Sequence, residues 1–463
     1  MIHFENYTKK TLKKYSKQIH ESPYLINDIS LGTLFAWKKR GGLKLANFKD
    51  TFFVSQNYGF GDFFSYPYGK NVSDTISELI KYCEKENLPL RFYGVIKDIL
   101  PQIENHPEIK NITYSYNRNW SDYLYSIDEI ATFSGKKFAG QRNHINKFNT
   151  LYKNAVFSPL TRQDFKNVYD MLSSYDQTHK KDKMYKLELK NTYKLLENID
   201  YFGFLAFKTE IDGKIASFTI GEVVNKTLVI HVEKALREFS GVYPYTFNNF
   251  AKFVKENYPQ VEFINREDDS GVPGLRTSKM QYQPITLIDK YFVFVNNPIK
   301  NVDYEHLPDK EISIDKILEE DKASYNRLCL DNKLNKYWGY DYTADIDKNA
   351  VTFDTFYDMQ KQDFENKESM SFAIRLNGEF IGETILYNFT SNQIAELGIR
   401  LLPEYQGKGF GKRAYILTRD FAIKNGLKII SKCFKQNIAS KNALLSSGMK
   451  LVKEDKKYYY FEY

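Results

Sequence analysis

Residues 395–426 read "AELGIRLLPEYQGKGFGKRAYILTRDFAIKNG". The first part, from Ile394 to Leu402, is an apolar run with strand character. After Arg413 the apolar residues Ala414, Leu417 and Phe421 fall on one helical stripe, and Gly426 is placed to stop a helix expected over 413–425. Between strand and helix, Gly407, Gly409 and Gly411 occupy alternate positions. A glycine turn that opens a helix can hold phosphate. Successive backbone N–H groups converge there, no Cβ keeps the ligand away, and the helix end adds roughly half a positive charge. Lys408, Lys412 and Arg413 add further positive charge. The turn is not a Walker A loop, because Arg413 follows Gly411-Lys412 where magnesium binding needs a hydroxyl. It is not a dinucleotide fingerprint either: the spacing is Gly-x-Gly-x-Gly, and the strands upstream look antiparallel.

The surrounding sequence supplies a layered plan. Upstream, "SMSFAIRLNGEFIGETILYNF" (369–389) reads as a hairpin turning at Asn377-Gly378, and 315–332 reads as a helix. Downstream come a strand "KIISKCF", a short helix "ASKNALLSSG" and a last strand "KYYYFEY". Further back, "GLKLANF" and "TFFVSQ" read as strands about a Lys49-Asp50 turn, and 72–87 as an amphipathic helix with Ile76, Leu79, Ile80 and Cys83 on one face. A basic helix is expected over 136–152. A hairpin is expected at Asp212-Gly213, then a strand "TLVIHVEKA", a helix over 245–258 and a strand "VEFI". The order of hairpin, strand, turn, helix, strand and helix recurs. "REFSGVYPYTFNNFAKF" (237–253) parallels "PEYQGKGFGKRAYILTRDF" (403–421), and Asn265 and Asn437 each end a strand before a helix.

The 463 residues are enough for about two to four domains. Hydrophobic residues at 42% and charged residues at 27% fit a globular chain, and the 36 Tyr and 35 Phe go with the Lys, Asn and Ile bias of an AT-rich coding sequence. The net charge of +8 is spread without a basic tract, which argues against DNA binding and suits an anionic cofactor. Cys83, Cys329 and Cys433 are far apart, so neither a disulfide framework nor a metal site is expected. No apolar run approaches the length of a membrane span, and the first residues lack a secretory core, so a cytoplasmic protein is expected.

"QGKGFG" (406–411) resembles the Gln/Arg-x-x-Gly-x-Gly/Ala signature of the GNAT acyl-CoA N-acyltransferase superfamily. The lead-in strand and "NIASKNALLSSGM" are similar to that family's neighbouring segments, over roughly 313–463. The resemblance implies that Gln406, Gly407, Lys408, Gly409, Phe410, Gly411 and Lys412 cradle the pyrophosphate of acetyl-CoA. It further implies that Leu401 and Leu402 bond the pantetheine arm through their backbone, and that Ser440 and Lys441 touch the cofactor. Glu396 would take the amine proton through water, with an exposed strand carboxylate as the alternative, and Asn437 is the second catalytic candidate. Leu444 stands where many relatives carry a tyrosine acid. Trp338, Tyr340 and Asp341 would grip a cationic small-molecule or peptide amine, or else form a packed aromatic turn.

"SPYLINDISLGTLFAWKK", "GKKFAGQRNHINKF" and "INREDDSGVPGLRTSKMQYQP" resemble the C-terminal catalytic domain of phosphatidylglycerol lysyltransferases, over roughly 1–297. That family has two fused GNAT-like halves. The expected fold is therefore α+β (α/β layered), three tandem GNAT-like units with mixed, mostly antiparallel sheets flanked by helices. The expected divisions are 1–150, 151–297, a linker at 298–312, and 313–463. Tyr243 and Tyr245 replace two glycines in the turn of the second unit, which would obstruct a cradle. Arg142, Asn146, Asn265, Arg276 and Lys279 either surround an anionic ligand, such as a tRNA end or a lipid head group, or form a polar interface between halves. Three functions stay open: acetyl transfer by the C-terminal unit, aminoacyl or lipid-head-group transfer by the N-terminal module, and ligand binding by degenerate units.

Overall fold

Three two-residue turns, each with both residues at positive φ, organise three sheets: Lys49-Asp50 (48°, 58°), Asp212-Gly213 (48°, 79°) and Asn377-Gly378 (50°, 85°). This conformation matches the right-handed twist of the flanking strands and closes tight hairpins. The hairpins are Lys44–Phe48 with Thr51–Asn57, Leu205–Ile211 with Lys214–Val224, and Ser369–Leu376 with Glu379–Tyr387. The structure is a computed structural model. It describes every residue except 38–41, 58–60, 180–182, 339–341 and 343–350, with side chains described outside 174–184.

Each sheet repeats one plan. Among the described residues all its strand pairs are antiparallel except one, and in that pair the two strands are joined through a helix. In the first sheet Asp62–Ser65 and Arg91–Val95 run parallel about the helix Val72–Lys85. In the second, Thr227–Ala235 and Phe263–Asn265 do so about Val242–Asn257. In the third, Ile394–Leu401 and Lys428–Phe434 do so about Phe410–Lys424. A parallel pair needs such a crossover, and the crossover helix buries its stripe on the sheet. The last helix buries Phe410, Ala414, Tyr415, Thr418, Phe421 and Ala422, and each large apolar side chain so buried stabilises by roughly 1.5–3 kcal/mol. It ends in a Schellman motif: Gly426 at φ 78° donates to the Ile423 carbonyl at 2.9 Å and Leu427 to that of Ala422 at 2.9 Å.

The structure moves several expected boundaries. Strand Asp122–Ser126 belongs to the second sheet, and strand Tyr291–Val295 returns to the first, between Arg91–Val95 and Ile112–Tyr116. The first two units therefore exchange strands, and no sheet boundary falls at 150. The expected linker at 298–312 is packed. Ile299 is fully buried in the third core, with Val302 and Tyr304 against it, and strand Ile312–Lys316 begins inside the range. That strand also replaces the start of the helix expected at 315, whose helical part is Lys322–Leu330, because Ile312 and Ile314 alternate into the core. The crossover helix of the third sheet begins at Phe410, three residues earlier than expected. Gly411 fits its first turn, and the nearest atom to a Cβ there would be Leu401 Cδ1 at 3.7 Å.

Candidate functional site

The third sheet opens where its parallel pair ends. Ile394–Leu401 pairs with Lys428–Phe434 only through Ile394, Ala395 and Glu396, and beyond these residues the strands part. On its other side Ile394–Leu401 stays in register with Glu379–Tyr387 as far as Leu401. The Leu402 amide donates to the Ile381 carbonyl at 2.9 Å, so alternate residues 400 and 398 face that neighbour. The backbones of Leu397, Ile399 and Leu401 then turn toward the opening. Two of those carbonyls already have partners: Ser431 Oγ donates to Leu397 at 2.8 Å and Gln406 Nε2 to Leu401 at 2.9 Å. Leu402 does not contribute as expected. Its amide is taken by Ile381, its carbonyl accepts from the Tyr405 amide at 3.0 Å, and its side chain is buried.

The opening runs onto the glycine turn. Gly407 (φ 74°) and Gly409 (φ 87°) are both left-handed, and a Cβ at either would meet nothing within 4 Å. Packing within the chain therefore does not demand glycine here; the backbone conformation does, and the concavity stays open. Gly409 caps the helix without any side-chain hydrogen bond, which leaves the first N–H groups of the helix facing outward. Gln406, Lys408 and Lys412 are exposed around it, while the Phe410 side chain is buried in the core and offers only its amide. Lys408 Nζ lies 5.7 Å from the Tyr405 ring centroid. Arg413 is not available to a ligand, since it pairs with Asp309 at 2.9 Å and Glu311 at 3.0 Å.

Glu396 sits at the last paired position, just inside the opening, and is 5% exposed. Tyr387 Oη donates to it at 2.6 Å, Asn388 Nδ2 at 3.1 Å and Lys432 Nζ at 2.9 Å. It is not the exposed strand carboxylate of the alternative reading. Burial, followed by the Glu396 charge, holds the Tyr387 phenol well above its ordinary range, so Tyr387 remains a proton donor to the carboxylate. On the same face, Trp338 covers Gly398, where a Cβ would lie 3.2 Å from Cη2 of the indole. Trp338 lies 4.7 Å from the Arg400 guanidinium and donates from Nε1 to Tyr342 Oη at 3.1 Å. Tyr340 and Asp341 lie outside the described residues. Beneath Trp338, Arg400 and Glu383 form a buried pair at 2.6 Å, with Tyr325 Oη on Glu383 at 2.9 Å. Tyr387, Asn388, Lys432, Glu383 and Arg400 escaped the sequence reading. Glu383 and Arg400 sit directly opposite in the register, a signal present once the Asn377-Gly378 turn is used to count across the hairpin.

Asn437 caps the helix Ile438–Ser446, its Oδ1 accepting the Ser440 amide at 3.1 Å. The Ser440 side chain lies near Tyr415 and Cys433, and Lys441 Nζ stands 4.2 Å over the Tyr459 ring. Leu444 is fully buried, a core residue rather than an acid. Tyr460 bonds Asp455 at 2.7 Å and belongs to the last strand.

In the N-terminal module four of the five expected ligand-binding residues spend their side chains on the chain itself. Arg142 donates to the carbonyls of Phe133 and Gly135, whereas the Asn146 side chain is exposed and only its backbone carbonyl accepts, from Thr150 Oγ1 at 2.9 Å. The buried Asn265 amide bonds Asp122 and the Leu25 carbonyl. Arg276 clamps Asp269 and Asn119, and Lys279 Nζ caps the carbonyls of Arg266 and Asp268. The side chains of Arg142, Asn265, Arg276 and Lys279 are thus held by the chain's own polar groups. Burial pushes the Asp269 carboxyl up, yet hydrogen bonds from Arg276 and Tyr123 outweigh it and hold the carboxyl well below its ordinary range. The turn of the second unit keeps Gly241 at φ 87°, but a Cβ there would lie 2.5 Å from the His144 carbonyl oxygen. The Tyr245 ring packs tilted against Phe148, centroids 4.4 Å apart. The helix Ala139–Leu151 fills the space that stays open at Gly409.

Two families match successive parts of the chain. The family described as "Phosphatidylglycerol lysyltransferase, C-terminal" matches residues 25–294, and the acetyltransferase (GNAT) domain matches 312–450. A solved conserved protein of unknown function from Bacteroides thetaiotaomicron is 27% identical and has a TM-score of 0.59, covering 64% of this chain and 100% of its own. An uncharacterized protein of Mycoplasmoides gallisepticum is 23% identical over 229 residues, 46% of this chain and 73% of its own length. RimJ of Mycobacterium smegmatis, solved with CoA-disulfide, is 16% identical with a TM-score of 0.28, over 35% of this chain and 86% of that one. Among the described residues no helix is long and apolar enough to cross a membrane. The chain belongs to the family of phosphatidylglycerol lysyltransferase C-terminal domains, and it is an acyltransferase in which a GNAT acetyltransferase domain follows that module.

Proposed function

We propose that the C-terminal unit moves an acetyl group from acetyl-CoA to a primary amine, on a peptide N-terminus, an amino acid or a small molecule. One observation carries this reading: the opening between Ile394–Leu401 and Lys428–Phe434 leads onto an uncapped helix N-terminus whose two left-handed glycines leave their Cβ positions empty. That concavity fits a pyrophosphate, which would accept from the N–H groups between Gln406 and Lys412, with Lys408 and Lys412 as counter-charges. The backbones of Leu397, Ile399 and Leu401 would align the pantetheine arm, Gln406 yielding the Leu401 carbonyl, and Ser440 and Lys441 would flank the other side. Bound there, acetyl-CoA supplies an activated acyl thioester.

The remaining needs fall to the chain. An amine attacks only when neutral, so its proton must leave. Glu396 holds that proton through a water, because its own oxygens are occupied by Tyr387, Asn388 and Lys432. Backbone N–H groups at the opening face the developing oxyanion. Trp338, packed on Gly398, would offer the acceptor the exposed part of its ring. The Asn437 cap fixes the helix that carries Ser440 and Lys441.

Calorimetric titration of acetyl-CoA into wild type and Gly409→Trp tests the reading. Binding in wild type that is lost in the variant is expected, and no heat in wild type would overturn it. A panel of amines followed by release of free thiol identifies the acceptor. A second reading, favoured by the family match over 25–294, places aminoacyl or lipid-head-group transfer in the N-terminal module, toward a tRNA end or an anionic lipid. It expects turnover that survives Gly409→Trp.

A further inference from the structure

The N-terminal module reaches the candidate catalytic carboxylate of the C-terminal unit. Arg91, on strand Arg91–Val95 of the first sheet, is 3% exposed, and its guanidinium lies 5.3 Å from the Phe63 ring and 5.5 Å from the Phe294 ring. Its Nη2 donates to Asn388 Oδ1 at 3.0 Å, across 297 residues of sequence. Asn388 Nδ2 donates in turn to Glu396 Oε2 at 3.1 Å. Arginine has donors only and a carboxylate has acceptors only. The amide between them therefore has one satisfied orientation, with oxygen toward Arg91 and nitrogen toward Glu396. The segment bearing Asn388 is pinned on the same side by further contacts. Asn392 Nδ2 donates to the Glu84 carbonyl at 2.7 Å and to Asn87 Oδ1 at 2.9 Å. Elsewhere in the interface Ser115 Oγ donates to Glu368 at 2.7 Å and Asn297 Nδ2 to the Lys367 carbonyl at 2.8 Å.

We propose that Arg91 is a positioning residue for acyl transfer: from the first sheet it orients the Asn388 amide, and through that amide the Glu396 carboxylate. The proposal rests on the reading of Glu396 as the group that receives the amine proton. It makes the lysyltransferase-like module part of the acetyltransferase site, without either of its own units binding the donor. Removing the guanidinium frees the amide to turn, and Glu396 then samples positions from which the water no longer lines up with the amine.

The test uses the full chain with acetyl-CoA and the best amine of the panel. Arg91→Lys keeps a charge but loses the planar donor. Asn388→Gly removes the amide at a backbone φ of 53° that glycine adopts without strain. Each is expected to lower kcat about tenfold while the KM for acetyl-CoA and its calorimetric affinity stay as in wild type. The double variant should be no slower than Asn388→Gly alone, because both act through one amide. Asn297→Ala, which cuts the interface bond to the Lys367 carbonyl and touches neither Arg91 nor Glu396, should leave kcat unchanged and so separates positioning from docking of the two modules. Arg91→Lys with kcat within about twofold of wild type, multiplicative losses in the double variant, or an equal loss in Asn297→Ala would each overturn the proposal. Wild type in which Glu396→Gln costs nothing would overturn the reading of Glu396 beneath it. Loss in Glu396→Gln with none in Arg91→Lys would overturn the relay alone.

Discussion

Replacing Gly409 by alanine perturbs the glycine turn in two ways that a second glycine can separate. Gly409 (φ 87°) begins the helix Phe410–Lys424 and Gly426 (φ 78°) follows its end, and a Cβ at either position meets nothing within 4 Å. Alanine at either site therefore costs the left-handed backbone penalty, roughly 1–2 kcal/mol, with no clash added. In a unit of about 150 residues that lowers the melting temperature by roughly 2–4 °C per kcal/mol, and the two variants should melt alike. Only at Gly409 does the new methyl enter the concavity over the first helical N–H groups. Displacing an anion from one or two such charge-assisted bonds, at roughly 1.5–3 kcal/mol each, weakens acetyl-CoA by about ten- to a hundredfold or more. Calorimetry on Gly409→Ala and Gly426→Ala, beside melts of both, reads the two effects apart. Equal affinity in the two variants would refute the assignment of the cradle, whatever the melts show.

Glu383→Gln leaves Arg400 buried without its counter-charge, so a loss of about 3–5 kcal/mol is expected from urea unfolding, and a loss below about 1 kcal/mol would show the pair to be dispensable. Asn437→Ala should cost about 1 kcal/mol of stability through the lost cap, while Asn437→Asp keeps it. Acyl transfer that falls in both variants would assign Asn437 a role beyond capping. His231 is buried between Glu222 and Glu267, each at 2.8 Å. Burial lowers its pKa, but the two hydrogen-bonded carboxylates outweigh that and raise it to about 9 from 6.5. The unfolded chain thus loses the proton first. The stabilisation, on the order of 3 kcal/mol, is complete below pH about 6.5 and disappears as pH rises through about 9. Melting curves from neutral to alkaline pH should fall across that window in wild type, and a parallel fall in His231→Gln would refute the assignment.

What was legible in the sequence was local. The Lys49-Asp50, Asp212-Gly213 and Asn377-Gly378 turns, the Gly426 helix stop and the open glycine turn each depend on the backbone freedom of a few consecutive residues, and those residues are written side by side. The resemblance of 406–411 lies in the unit that the acetyltransferase family matches, because a glycine turn is itself a short-range object. The obstruction expected from Tyr243 and Tyr245 came instead from the His144 carbonyl, a hundred residues or so away in the chain.

The tertiary structure alone decided the partners. Strands Asp122–Ser126 and Tyr291–Val295 have patterns that would suit either sheet, and only the packed core selects the exchange. Arg142, Arg276 and Lys279 carry charges that a sequence offers equally to a ligand or to the chain, and folding spent them on neighbouring carbonyls and on Asp269. The path from Arg91 through Asn388 to Glu396 leaves no trace in spacing, because its ends lie on different sheets. Backbone preference is set by neighbours in sequence; the pairing of polar groups is set by neighbours in space, and only the closed fold brings these together.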